Sequence, residues 1–110
     1  PARVVRRHPE LDLALLRLEQ RDLQVKPLEL GEPRAMLAPG EPVVILAGPA
    51  QGPRAKGDPD DRVAIPGRFR RAVQLRTSTD ALRPALALDA EVLKGDSGSP
   101  VLRVSDGRVM

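Results

Sequence analysis

The sequence predicts an all-β fold, and two features of its 110 residues lead to that prediction. Short apolar runs recur along the chain, and Pro, Gly and Asp residues separate them. The 12 prolines oppose long helices, because proline removes a helical hydrogen-bond donor and clashes with the preceding turn. Many short strands at regular spacing are typical of a β-barrel or a β-sandwich.

The apolar runs predict six strands, which in chain order cover residues 2–5, 11–18, 43–47, 72–77, 85–88 and 101–104. The run at 43–47 is rich in β-branched residues and predicts a buried strand. The last run is followed by Asp106 and Gly107, a pair that favours a hairpin turn. Residues 48–61 combine Gly, Pro and charges, so they predict a surface loop. Residues 33–37 could form one helical turn at most.

Composition narrows the functional classes. Phe69 is the only aromatic residue, so we expect a thin core. The net charge of +3 is spread along the chain, and the densest basic cluster is Arg68, Arg70 and Arg71. A solvated strand is the favoured interpretation of this cluster, and we expect no nucleic-acid partner. A nucleic-acid-binding barrel stays as a weaker alternative, which would require binding with a steep salt dependence.

Cysteine is absent, which excludes disulfides and thiolate metal sites. Its absence fits a reducing compartment and a bacterial exported protein equally, so the compartment stays open. The longest apolar stretches are only a few residues, so we expect no membrane span. We expect no metal or organic cofactor.

The sharpest motif is Gly-Asp-Ser-Gly-Ser-Pro at 95–100. A nucleophilic serine needs an exposed hydroxyl and backbone N–H donors for a developing oxyanion, and flanking glycines allow the tight backbone that this requires. The same composition also suits a plain turn. The order of residues resembles the nucleophile segment of trypsin-like serine peptidases, including the bacterial HtrA type. The resemblance implies that Ser97 is the nucleophile and that the N–H groups of Gly95 and Ser97 form the oxyanion hole. Ser99 stands where the family more often has glycine.

A second match lies at Asp12, which an apolar run follows directly. The segment Asp-Leu-Ala-Leu-Leu resembles the family segment that carries the triad aspartate, which must be held by a buried strand to orient a histidine. By this resemblance Asp12 is the catalytic aspartate, and its separation from Ser97 is close to that in compact bacterial members. Residues 28–44 are loosely similar to HtrA-like chains.

The histidine of the triad has no counterpart in the 110 residues. In the family it precedes the aspartate by tens of residues, whereas His8, the sole histidine, lies four residues before Asp12. We interpret His8 as a surface turn residue. We also expect both ends of the sequence to be cut within the parent domain, with further strands following Met110.

The resemblance implies part of a trypsin-like double β-barrel. Residues 1–20 are expected to be the last strands of the N-terminal barrel, 21–35 the connection between barrels, and 36–110 an incomplete C-terminal barrel. The implied activity is serine-type endopeptidase action on a peptide or unfolded protein substrate, with these residues inactive by themselves because the histidine is absent. The alternative is a non-catalytic, protease-like module that binds a peptide or a protein partner.

Overall fold

A computed structural model of the chain describes residues 1–32, 37–48, 63–92 and 95–110. The loop predicted at 48–61 and the helical turn predicted at 33–37 lie outside the described residues, apart from Gly48 and Leu37. The all-β fold predicted from the sequence is confirmed. No helix in the described residues is long and apolar enough to cross a membrane.

Six strands and one short 3-10 turn make up the described secondary structure: β1 Ala2–His8, the 3-10 turn Pro9–Leu11, β2 Leu13–Leu18, β3 Pro42–Ala47, β4 Val63–Arg76, β5 Leu82–Ala90 and β6 Val101–Arg103. Each strand contains or overlaps one of the predicted runs. The run at 72–77 was expected to belong to a longer strand, and β4 is that strand: it begins at Val63, continues through Pro66 and Gly67 and ends at Arg76.

The chain divides into two compact units. The hairpin unit comprises Pro1–Pro27 and Ala72–Ala85, and the core unit comprises Leu28–Arg71 and Leu86–Met110. In the hairpin unit, β1 and β2 form an antiparallel two-stranded sheet whose register shifts at a bulge between Val4 and Arg6. Every residue of both strands is exposed.

A four-stranded sheet with the order β5-β4-β3-β6 provides the core. β3 pairs antiparallel with β4 on one side and with β6 on the other. Its burial alternates along the strand, because successive side chains of a strand point to opposite faces. All buried apolar residues of the described chain lie in the core unit: Leu37, Val43, Ile45, Ala47, Ile65, Phe69 and Leu102. This small set agrees with the thin core expected from the low aromatic content.

The chain reverses direction after β6, as the Asp-Gly pair predicts. The Gly107 N–H donates to the Arg103 carbonyl oxygen at 2.8 Å, and Gly107 has a φ of +70°. The Arg103 N–H donates in turn to the Arg108 carbonyl oxygen at 2.9 Å. Beyond the turn, the Met110 N–H donates to the Val101 carbonyl oxygen at 2.9 Å, which ties the returning segment to the start of β6.

Candidate active site

Ser97 occupies the corner of a tight turn. The Ser99 N–H donates to the Asp96 carbonyl oxygen at 3.1 Å, which closes a four-residue β-turn with Ser97 and Gly98 at its centre. Gly98 has a φ of +85°, close to the value of about +80° that a type II turn requires at its third position. Ser97 is exposed, so the turn presents its hydroxyl to solvent.

Backbone conformation explains the two glycines that flank this turn. Gly95 has a φ of +102° and Gly98 a φ of +85°, in a region that residues with a Cβ rarely adopt. A Cβ added at either position would have no atom within 4 Å. Glycine is therefore required here by the path of the backbone and not by crowding.

Two backbone donors at this turn have no acceptor within the described part of the chain. Neither the Gly95 N–H nor the Ser97 N–H donates a hydrogen bond there. These are the two groups that the resemblance assigns to an oxyanion hole. Both residues are exposed, so these N–H groups can donate hydrogen bonds to an oxygen atom of a bound molecule.

A cavity of about 250 Å³ adjoins the serine. Its lining combines aliphatic side chains with the polar residues of the turn, and it comprises Ile45, Val92, Asp96, Ser97, Ser99 and Val101. Asp96 is only 7% exposed and is the buried charged residue of the described chain. The sequence motif identified the serine, but the contribution of Ile45 and Val101 to its surroundings depends on the pairing of β3 with β6.

Asp12 lies at the turn of the β1–β2 hairpin. It ends the 3-10 turn Pro9–Leu11 in a left-handed conformation (φ 53°, ψ 45°), and its N–H donates to the Pro9 carbonyl oxygen at 3.3 Å. β2 begins at the next residue, as the apolar run after Asp12 predicts. Asp12 is exposed. Asp12 belongs to the hairpin unit, whereas Gly95 and Ser97 lie together in the core unit.

His8 is the last residue of β1 and is exposed. Its partner across the hairpin is Leu13. His8 and Asp12 line one cavity of about 420 Å³, together with Val4, Arg7, Pro9, Leu13 and Ala14. Sequence reasoning treated His8 as a turn residue only. The four-residue spacing across a predicted tight turn was the signal that could have placed the two side chains at one cavity.

The basic cluster at Arg68–Arg71 does not form an aromatic-lined basic surface. Phe69 is only 6% exposed and packs with Leu37 and Val43, so its ring cannot stack on a nucleic-acid base. The Arg68 guanidinium donates to the Gly40 carbonyl oxygen at 2.9 Å, and Arg70 pairs with Asp89 at 3.7 Å. No group of three or more metal-ligating side chains occurs in the described ranges.

Comparison with known proteins identifies the family. A sequence model of the trypsin-like peptidase domain matches residues 1–110. The chain therefore belongs to the trypsin-like peptidase domain family, and the resemblance found in the sequence is confirmed. A comparison with curated protein sequences finds no significant match.

Solved structures of the Rv3671c protease from M. tuberculosis resemble the chain. The inactive form has a TM-score of 0.75 at 29% identity, covering 98% of this chain and 51% of that one. An inactive-form serine-to-alanine mutant gives 0.72 at 28% identity, with coverages of 98% and 49%. The active form gives 0.69 at 29% identity, with coverages of 98% and 44%. The chain thus spans about half the length of these protease structures, and the likeness supports a protease function in general terms.

Proposed function

We propose that these residues contribute the nucleophile, the oxyanion hole and the orienting aspartate of a serine endopeptidase that cleaves peptide or unfolded protein substrates. In this proposal Ser97 attacks the scissile carbonyl carbon, and the N–H groups of Gly95 and Ser97 stabilise the oxyanion that forms. Asp12 orients the histidine that takes the proton from the Ser97 hydroxyl and returns it to the leaving amine. The bacterial HtrA type remains the predicted subgroup.

The observation that carries the proposal is the type II turn at Asp96–Ser99. It combines an exposed hydroxyl at Ser97 with two N–H groups that have no acceptor in the described chain. The cavity beside Ser97 supplies aliphatic contacts for a bound chain at the same place. A plain surface turn would not need the adjoining cavity.

The proposal places the general base outside these 110 residues. His8, the only histidine, lies on the hairpin that carries Asp12, four residues before it. An endopeptidase lacking one triad member keeps only a small part of its rate, with losses of about 10⁴-fold or more. The 110 residues alone are therefore expected to turn over substrate too slowly to be useful.

Labelling by a fluorophosphonate probe, read by intact mass, tests the proposal. The chain would be labelled in its natural sequence context, so that a histidine supplied by flanking sequence is present. We expect one adduct, its loss in Ser97→Ala, and its retention in Ser105→Ala, which changes an exposed serine in the turn after β6. The isolated 110 residues should label at least about 10⁴-fold more slowly.

The opposite outcome is equally informative. A folded protein that forms no adduct in its natural context would show that Ser97 is not activated. That result would overturn the endopeptidase proposal and favour the non-catalytic module that binds a peptide or a protein partner. An adduct that persists in Ser97→Ala would assign the nucleophile to another residue.

A further inference from the structure

The two faces of the β1–β2 sheet differ in chemistry. Residues paired directly across an antiparallel sheet share a face, and alternate residues of a strand do the same. Applied to the observed register, this rule separates an apolar face from a basic one. The first carries Ala2, Val4, Arg7, Ala14, Leu16 and Leu18. The second, which we call the arginine face, carries Arg3, Arg6, His8, Leu13, Leu15 and Arg17.

The arginine face concentrates positive charge without compensation. Arg3 lies directly opposite Arg17, a like-charge pairing that destabilises a hairpin. Arg6 follows on the same face, opposite Leu15. In the described ranges, none of these three guanidinium groups forms an ion pair or a hydrogen bond. A bound anion would therefore relieve a repulsion that the folded chain itself leaves in place.

Two leucines accompany the arginines on this face. Leu13 is 62% exposed and Leu15 is 61% exposed. They follow Arg17 at every second residue of β2, so neighbouring positions on the face are about 7 Å apart. An extended polypeptide has the same spacing between alternate side chains. A segment with acidic side chains at one end and apolar ones at the other therefore matches this face.

We propose that the arginine face is a docking surface for an extended segment of a partner protein that carries an acidic side chain at one position and apolar side chains two and four residues further along, all on the same face of the segment. Guanidinium groups bind carboxylates through two parallel hydrogen bonds, and the Arg3–Arg17 pair can hold a carboxylate between two such groups. Leu13 and Leu15 contact the apolar side chains that follow. The arginine face belongs to the hairpin unit and Ser97 to the core unit, and the docking proposal does not depend on the endopeptidase proposal.

The chemistry of the face favours a polypeptide over other anions. Single-stranded nucleic acids are bound through aromatic side chains on which bases stack, and the only such ring, Phe69, is buried. Patches that bind anionic lipid headgroups typically carry about four to eight Lys or Arg residues, whereas this face carries three Arg residues.

Fluorescence anisotropy on the 110-residue chain tests the proposal with a labelled peptide that has Glu at one position, Leu two and four residues further along, and Thr at the positions between them. A peptide with Gln in place of Glu is the uncharged control. We expect binding to the acidic peptide only. The double variant Arg3→Gln/Arg17→Gln should raise its Kd at least about tenfold, because two charge-assisted contacts are lost. Arg7→Gln is the control for the single variant Arg3→Gln, because each removes one charge from β1 but from opposite faces, and Arg7→Gln should change the Kd less than about twofold.

Each remaining result has a defined meaning. Equal weakening by Arg7→Gln and by Arg3→Gln would overturn the proposal, because net charge alone would then explain the binding. Failure of the acidic peptide to bind, with arginine-dependent binding to phosphatidylglycerol vesicles, would assign the face to a membrane surface instead. Circular dichroism checks that the double variant folds. If it does not, the single variant Arg6→Gln decides the outcome, with an expected rise in Kd.

Discussion

β2 and β3 have similar compositions but opposite surroundings. β2 (Leu13–Leu18) carries four leucines, and every one of its residues is exposed. In β3 (Pro42–Ala47), by contrast, Val43, Ile45 and Ala47 are at most 5% exposed. β2 pairs with β1 alone, whereas β3 lies between β4 and β6. Apolar residues therefore specify that a strand forms, while the number of neighbouring strands and the packing on its faces decide whether it is buried.

The largest expected effect is the stability lost when an apolar side chain is truncated, which should be much greater in the core unit than in the hairpin unit. Phe69→Ala removes the ring that packs with Leu37 and Val43, and it should lower the free energy of unfolding by about 3–5 kcal/mol. Leu16→Ala on the exposed β2 should cost less than about 1 kcal/mol. Urea unfolding followed by circular dichroism measures both, since the chain has no Trp or Tyr for fluorescence. Equal losses would show that β2 is packed as tightly as the core.

The two units also differ in the burial of their ion pairs, and the expected effect on stability is smaller. Arg103 in the core unit has a side chain only 16% exposed, and its Nε lies 3.5 Å from Glu41 Oε2. Both atoms are buried and make no hydrogen bond, so the contact is an ion pair without hydrogen-bond geometry. Arg76 in the hairpin unit lies closer to its partner Asp80, at 2.9 Å, but both side chains are more than half exposed.

Arg103→Gln is expected to cost about 2–3 kcal/mol, because it leaves the Glu41 carboxylate poorly compensated in a buried place. Arg76→Gln should cost less than about 1 kcal/mol despite its shorter distance, since water screens an exposed pair. The same unfolding measurement, repeated in high salt, compares them. A greater loss for Arg76→Gln would mean that distance outweighs burial in this chain.

The smallest expected difference in stability is between substitutions that add carbon atoms in the core unit and in the hairpin unit. A Cβ at Gly67 would lie 2.9 Å from Ala90 Cβ and from the Asp89 carbonyl oxygen, so Gly67→Ala should destabilise the chain by about 1–2 kcal/mol. Ala14→Val adds more atoms on exposed β2 and should change stability by less than about 0.5 kcal/mol. Thermal unfolding would detect the difference. A stabilising Gly67→Ala would indicate that β5 can move away from β4 at little cost.

The sequence predicted the strands best where the local signal was strong. Val43, Ile45 and Ala47 alternate into the core as the β-branched run implied. The apolar runs did not indicate that β4 extends back to Val63, because Pro66 and Gly67 are residues that usually interrupt strands. Close approach of Ala90 and Asp89 accounts for Gly67, and that contact joins opposite ends of the consecutive strands β4 and β5.

At the candidate site, too, the local backbone features were predictable from the sequence, whereas features that depend on distant residues were not. The motif at 95–100 was sufficient to predict a tight turn with glycines in unusual conformations, and Gly95 and Gly98 confirm it. The roles assigned to Ser97, Asp12 and Gly95 stay predictions. The cavity shared by His8 and Asp12 was not predicted, although the four-residue spacing of the two residues across a predicted turn was a signal for it. The domain bounds at 20 and 35 likewise stay predictions.

The single Phe ring makes the proton NMR spectrum a direct probe of the core unit. A benzene ring shifts the proton resonances of methyl groups that lie over its face, and in most proteins many rings contribute. Here Phe69 is the only Phe, Tyr or Trp ring, and its cluster contains Leu37 and Val43, with the methyl-bearing residues Leu88, Val101 and Met110 packed against it. Strongly upfield methyl signals in a proton spectrum would therefore report the assembly of this one cluster, without any label or substitution.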